Sequence, residues 1–176
     1  TGWTTASRDA TTDGVIALMR PEEQLNALRL LYAWANESGA NGSAVEVGTF
    51  SGENAVVMAQ YFKSVVTIDP WANGYDKDDH ASNADMAEVE KKYFDRIANF
   101  SNISHMKLTS LEGAKKFDDA SLDFVYLDGD HQTDAVVADI DAWKPKVRSG
   151  GILAGHDINM EKVYNALNQR LNGVVA

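Results

Sequence analysis

The chain has 176 residues and no cysteine, and its 26 acidic against 16 basic side chains give a net charge of -10. This length favours one domain, residues 1–176, and the lack of cysteine excludes disulfides and thiolate metal sites and fits a reducing, cytoplasmic setting. The negative charge repels phosphate backbones and anionic lipid surfaces, so we expect neither nucleic acid nor a membrane as a partner.

Targeting and membrane signals are not found in the sequence. No apolar run is long enough to span a bilayer. Residues 1–14, TGWTTASRDATTDG, lack the basic and apolar regions of a signal peptide. We therefore expect a soluble protein.

Helical and strand-like patterns alternate along the chain. The first helix opens at Pro21 with two glutamates and is closed by Gly39. Runs of β-branched and apolar residues predict strands at 43–47, 64–68, 103–108, 122–127 and 151–154. Segments of helical period lie at 55–62, 86–100, 133–143 and 160–171.

This alternation predicts an α/β fold, doubly wound, with a mostly parallel sheet and helices on both faces. In such a sheet, ligands bind at the carboxyl ends of the strands. The sequence stops at residue 176, soon after the last helical pattern. If the fold continues with another strand pair, we expect those C-terminal strands to be missing here.

Residues 70–83, PWANGYDKDDHASN, form a long polar connection. Such a segment is either a lid over a site or a tolerated surface insertion, and its aromatic residues Trp71 and Tyr75 favour the lid. Its acidic run lacks the glycine and closing glutamate of a calcium loop, so we interpret Asp76, Asp78 and Asp79 as part of a solvated turn.

The stretch VEVGTFSGENAVVMA carries an unusual turn after the first predicted strand. Gly48 and Gly52 let the backbone approach a ligand closely, but their spacing matches neither a dinucleotide fingerprint nor a phosphate loop. The carboxylate of Glu46 disfavours a pyrophosphate and favours a cationic ligand. Asp69, at the end of the second strand, is placed to accept hydrogen bonds from a ribose diol.

Polar side chains also follow the fourth and fifth strands, in LDFVYLDGDH and GGILAGHDI. Asp128 and His131 end the first of these runs, and His156 and Asp157 end the second. Adjacent strands would bring them to one edge of the sheet. A histidine there can remove the proton of a hydroxyl group. Alternatively, His131 caps the following helix or is bonded structurally to Asp128.

The glycine turn and Asp69 together resemble the class I S-adenosylmethionine-dependent methyltransferases. The resemblance implies a cofactor turn at Glu46 to Gly52, a ribose contact at Asp69, and an adenine border after the third strand. The implied cofactor-binding residues are Glu46, Gly48, Thr49, Phe50, Ser51, Gly52, Asp69, Pro70, Trp71, Ser110 and Asp128.

The stretch from YLDGDH to LAGHDI resembles the metal-dependent small-molecule O-methyltransferases of the catechol and macrolide-sugar types. The resemblance implies that Asp128, His156 and Asp157 hold a divalent metal, Mg²⁺ or another ion. It implies His131 as the catalytic base, acting with Asp128. His156 departs from the pattern, because a carboxylate is implied at that position and Mg²⁺ prefers oxygen ligands.

We therefore predict a methyltransferase that acts on a hydroxyl oxygen of a small-molecule substrate. One alternative is a metal-dependent hydrolase or oxygenase that uses His131, His156 and Asp157 as ligands. The other is a non-catalytic scaffold that binds the cofactor. The sequence leaves the acceptor and the oligomeric state open.

Overall fold

A single parallel sheet organises the molecule, for which a computed structural model describes residues 20–77 and 79–171. Its strand order is β3-β2-β1-β4-β5, and each described pair of neighbours is parallel. The strands are β1 (Ser43–Val47), β2 (Ser64–Ile68), β3 (Ile103–Met106), β4 (Leu122–Leu127) and β5 (Val147–Gly155). The predicted doubly wound α/β fold is confirmed. Its order reverses between β1 and β4, where such sheets bind ligands.

Helices cover both faces of this sheet. They are α1 (Glu22–Glu37), α2 (Glu53–Met58), α3 (Met86–Ile97), α4 (Ser110–Ala114), α5 (Thr133–Trp143) and α6 (Glu161–Arg170), with short 3₁₀ turns at Ala81–Asn83 and Lys144–Lys146. None of the helices in the described part of the chain is long and apolar enough to cross a membrane.

Three hydrophobic clusters of buried residues form the core of the described chain, and the two largest lie on opposite faces of the sheet. Tyr32 of α1 is fully buried and packs against Phe124 of β4 at 5.5 Å between ring centroids. On the other face, the buried Trp143 of α5 packs with Val125, the next residue along β4. Because successive strand residues point to opposite faces, this alternation fixes the register of the sheet and therefore which side chains reach its carboxyl edge.

The predicted bounds of the first, second and fourth strands agree with the structure, whereas the third strand ends two residues earlier than predicted, at Met106. The fifth strand begins four residues earlier, at Val147. A short helix, α4, was not predicted. It begins with a capping box in which Thr109 and Glu112 satisfy each other's backbone amides.

The segment from residue 70 to α3 is anchored to the body of the protein. The Trp71 ring packs 5.1 Å from that of Tyr93, and its Nε1 donates to the Phe50 carbonyl at 2.9 Å. Asp76 is buried and accepts a hydrogen bond from Gln132 at 2.5 Å. The interpretation of this acidic run as a solvated turn was therefore wrong for Asp76, whose carboxylate binds the start of α5. Asp78 lies outside the described residues.

Candidate functional site

Two glycines shape the turn between β1 and α2, and each adopts a positive φ. A Cβ added at Gly48 would lie 2.1 Å from the carbonyl oxygen of Asp128, so the ends of β1 and β4 touch through this residue. A Cβ at Gly52 would lie 2.8 Å from the Tyr93 ring. The turn is therefore packed directly against the predicted residue Asp128, as the adjacent strands require.

Glu46 is a buried acid in β1, two residues before Gly48, with 1% of its surface exposed. Its Oε2 accepts a hydrogen bond from Thr49 at 2.7 Å, while Oε1 has no hydrogen-bond partner among the described residues. Burial raises the pKa of Glu46 to about 7. An unsatisfied buried carboxylate oxygen fits a ligand that donates hydrogen bonds or carries positive charge.

Asp69 follows β2 and holds the turn in place. Its Oδ2 accepts from the amide of Phe50 at 2.8 Å, and its Oδ1 accepts from the amide of Trp71 at 2.7 Å. Burial raises the pKa of this carboxyl above its usual value. Ser51 is bound by Arg96, which donates to the Ser51 hydroxyl at 2.9 Å. The structure thus brings together the predicted residues Glu46 to Gly52 and Asp69 to Trp71, and their role in binding a cofactor stays a prediction.

Ser110, the predicted residue beyond β3, uses its hydroxyl inside the protein. It donates to Asp139 at 2.5 Å and accepts from Nε1 of Trp143 at 2.9 Å. Burial raises the pKa of Asp139 to about 6. The side chain of Ser110 therefore joins α4 to α5, and a contact with a cofactor would fall to its backbone.

His131 and Asp157 bring the ends of β4 and β5 into contact. His131 Nε2 lies 3.0 Å from Asp157 Oδ2 and 3.9 Å from Asp128 Oδ1. The Asp157 contact raises the pKa of His131 above its ordinary value. Burial alone would raise the pKa of Asp157, but its contacts with His131 and His156 hold it below the usual range. The sequence prediction that these four side chains share one edge agrees with the structure.

Two histidines at this edge, His131 and His156, are candidate metal ligands. His156 Nδ1 lies 3.0 Å from Asp157 Oδ2 and 3.8 Å from Asp128 Oδ1, and the predicted ligand set of Asp128, His156 and Asp157 stays a prediction. An alternative set is Asp128, His131 and Asp157, whose ligand atoms all lie within 4.8 Å of one another. His131 Nε2 is buried and forms no well-aligned hydrogen bond within the described chain, although Asp157 is close. These donors fit a divalent cation that accepts both nitrogen and oxygen ligands.

Two functional candidates were missed by sequence reasoning. Arg20 precedes α1, and its Nη2 donates to Asp128 Oδ2 while its amide donates to Glu53 Oε2 at 2.8 Å. Asp79, in the anchored segment, places Oδ2 3.5 Å from His131 Nδ1. Nothing in the local sequence indicates either contact, because the partners lie 108 and 52 residues away along the chain.

A cavity of about 490 Å³ opens beside this edge, between β5, α5 and α6. Aliphatic side chains form much of its wall, and Asp128, His131 and His156 stand at one side. Its aliphatic lining residues include Leu127, Val136, Ile140, Leu153, Val163 and Leu167.

A parallel sheet in this order, with a glycine turn after β1 and an acid after β2, defines a doubly wound α/β protein, a class that binds ligands at the carboxyl edge of the sheet. Residues 45–158 match the family model described as a methyltransferase domain, and the chain belongs to that family. The resemblance to class I methyltransferases is therefore confirmed, while the metal-dependent branch stays a prediction. No curated protein matches this chain by sequence.

Solved structures share the fold. The chain is similar to cofactor-bound Rv0187 from MTB, with a TM-score of 0.59 and 18% identity over 87% of this chain and 66% of that one. It is also similar to a candidate caffeoyl-CoA O-methyltransferase from Staphylococcus aureus, with a TM-score of 0.57 and 14% identity over 90% and 66% of the two chains. For a candidate type II methyltransferase from Anaeromyxobacter dehalogenans, the TM-score is 0.52 and the identity 16%, over 72% of this chain. This chain spans only 46% of that protein.

Proposed function

We propose that this protein transfers a methyl group from S-adenosylmethionine to a hydroxyl oxygen of a small molecule. The observation that carries the proposal is the meeting of His131, Asp128 and Asp157 at the sheet edge, directly beside the glycine turn. A proton acceptor and a candidate cation site therefore stand next to the place where the family binds its methyl donor.

The cofactor supplies an electrophilic methyl group on a sulfonium, and this chain's residues suit such a molecule. Glu46 offers an unsatisfied carboxylate oxygen to a cationic group. The carboxylate of Asp69, fixed by two amides, retains lone pairs for a ribose diol. Gly48 keeps the turn free of side-chain atoms where β1 meets β4.

His131 is the proposed base, and its imidazole would accept the proton of the acceptor hydroxyl. His131 also belongs to one of the two candidate ligand sets, and an imidazole that holds a metal could not act as the base at the same time. We assign the cation to Asp128, Asp157 and His156 and the proton transfer to His131. A divalent cation bound there would lower the pKa of the hydroxyl group.

The proposed acceptor is a small molecule, and neither a nucleic acid nor a membrane is proposed as a partner. The net charge of -10 opposes a polyanionic substrate. The cavity of about 490 Å³ beside His131 has room for a compact molecule with an apolar body. The cytoplasmic location suggested by the absence of cysteine belongs to the same proposal.

Titration calorimetry with S-adenosylhomocysteine, with and without Mn²⁺ or Mg²⁺, tests the proposal. We expect cofactor-product binding, weakened by Asp69→Ala and nearly unchanged by His131→Ala. Metal binding without any affinity for S-adenosylhomocysteine would favour the hydrolase or oxygenase alternative.

A methyl-transfer assay over a panel of small hydroxylated acceptors then tests the base. We expect His131→Ala to lower turnover by about 10²- to 10⁴-fold. Full activity of this variant would refute the assignment of His131. Product binding with no turnover on any acceptor, metal-loaded or not, would favour the non-catalytic scaffold.

A further inference from the structure

Arg20 places a positive charge at the carboxyl edge of the sheet. Its guanidinium donates through Nη2 to Asp128, at the end of β4, and both side chains are largely buried, with 18% and 7% exposed. Its backbone amide donates to Glu53 at 2.8 Å, one residue beyond Gly52. Arg20 is thus tied at two points to the elements that form the proposed cofactor turn.

The guanidinium retains unused hydrogen-bonding capacity. A guanidinium has five N–H donors in a planar fork, and within the described chain only Nη2 forms a hydrogen bond. Arg96, which also lies beside the turn, is committed to Ser51 and Glu53. Arg20 is therefore the better placed of these two cations to receive another anionic group.

The carboxylates around the proposed cofactor site would repel a negatively charged group of the ligand, and a nearby cation would reduce that repulsion. Glu46, Asp69 and Asp128 favour the ammonium and sulfonium groups of S-adenosylmethionine. The same molecule carries a carboxylate on its amino-acid tail, which these acids repel. A bidentate contact between a guanidinium and a carboxylate would offset that repulsion at close range.

We propose that Arg20 binds the carboxylate of the cofactor's amino-acid tail, while Asp128 holds the guanidinium in position. This assignment rests on the proposed function and names the residue that distinguishes an adenosyl amino acid from a plain nucleoside. Two other roles for Arg20 would affect ligand affinity differently. An arginine that merely fills the cleft competes with the ligand, and an arginine that only supports Asp128 affects all adenosyl ligands equally.

The test compares two ligands on the full chain. S-adenosylhomocysteine carries the amino-acid tail, and 5′-methylthioadenosine lacks it. We expect Arg20→Gln to weaken S-adenosylhomocysteine binding by about 10- to 100-fold, since a hydrogen bond to a charged group contributes about 1.5–3 kcal/mol. Binding of 5′-methylthioadenosine should change by less than about twofold. Arg20→Lys should fall between the wild type and Arg20→Gln for the first ligand.

Arg29→Gln is the matched control, because Arg29 lies on α1 and pairs with the exposed Glu22 at 2.7 Å. It should leave the affinity for both ligands unchanged. Equal losses for both ligands in Arg20→Gln, or tighter binding of both, would overturn the assignment while leaving the proposed function intact. If the wild type binds neither ligand, the assignment and the proposed function both fail.

A measurement on the wild type alone guards against a variant that does not fold. Decarboxylated S-adenosylhomocysteine keeps the amine and lacks the carboxylate. We expect the wild type to bind it about 10- to 100-fold more weakly than S-adenosylhomocysteine. Equal affinity for the two compounds would refute a carboxylate contact.

Discussion

Replacing Gly48 by alanine tests how closely β1 and β4 approach each other at the site. Gly48 has a φ of 81°, and an added Cβ would lie 2.1 Å from the Asp128 carbonyl oxygen. Ordinary van der Waals contact begins at 3.4 Å, so the two backbones must separate by about 1.3 Å. Hydrogen bonds from Gly48 to Ile68 and from Asp128 to Val47 resist this movement.

Gly39→Ala supplies the matched control. Gly39 has a φ of 82°, but nothing lies within 4 Å of its added Cβ, so the substitution isolates the cost of the left-handed conformation. That cost is about 1–2 kcal/mol, reduced by about 0.4–1 kcal/mol through the lower entropy of the unfolded chain. We expect about 1 kcal/mol for Gly39→Ala and at least about 4 kcal/mol for Gly48→Ala, because the latter adds a backbone clash.

Urea unfolding followed by circular dichroism measures both free energies of unfolding, and calorimetry measures the affinity for S-adenosylhomocysteine. Gly39→Ala should bind with wild-type affinity. Gly48→Ala should lose binding even where some folded protein is recovered, since the movement displaces Asp128. Stabilities of the two variants within about 0.5 kcal/mol of each other, with unchanged binding by both, would refute the close-approach argument.

Two further predictions use buried acids whose pKa values are raised by burial. The pKa of Glu46 is about 7 against an ordinary 4.5, so its contribution to stability is fully present below about pH 4.5 and is lost as the pH rises through 7. In unfolding measurements at pH 8, Glu46→Gln should be more stable than the wild type by on the order of 3 kcal/mol. The same variant should bind S-adenosylhomocysteine more weakly. A lower stability of Glu46→Gln at pH 8 would contradict this prediction. Asp139, with a pKa of about 6 against 3.8, loses its contribution between about pH 4 and 6, so Asp139→Asn should raise stability at pH 7.5 by up to about 3 kcal/mol. Asp141→Asn on the exposed side of the same helix should change stability by less than about 1 kcal/mol, and an equal gain in both variants would contradict the burial argument.

The sequence revealed the strands and their polar ends because both depend on local pattern. The apolar runs that end at Leu127 and Gly155 each mark a strand, and the polar residues Asp128 and Asp157 follow these strands. Once the strands are parallel neighbours, their ends must meet, and His131 and Asp157 do lie 3.0 Å apart. The capping box of Thr109 and Glu112 also leaves a local pattern, T-x-x-E, which is typical of a helix start and marks the beginning of α4.

Contacts in which a long side chain joins two separate elements could not be predicted from local sequence patterns. Arg20 reaches Asp128 across 108 residues, and the indole of Trp71 reaches the Phe50 carbonyl. Both contacts depend on the length of the side chain and on the path of a connecting segment, and neither produces a periodic pattern in the sequence. The polarity of Asp76 likewise suggested solvent, whereas Gln132 satisfies it in a buried position.

Two acids, Glu46 and Asp69, support ligand binding by the same electrostatic argument. Burial raises the pKa of Glu46 and Asp69, which means that the fold holds these carboxyls in surroundings that disfavour their charge. A cationic ligand that enters the turn reverses this effect, since opposite charges close together favour the ionised form. Any ligand that binds only the folded state, S-adenosylhomocysteine included, should raise the free energy of unfolding by RT ln(1 + [L]/Kd), about 2.7 kcal/mol at a hundredfold excess over Kd. The same reasoning explains why an amino-acid tail needs Arg20: the acids that attract its ammonium also exclude its carboxylate.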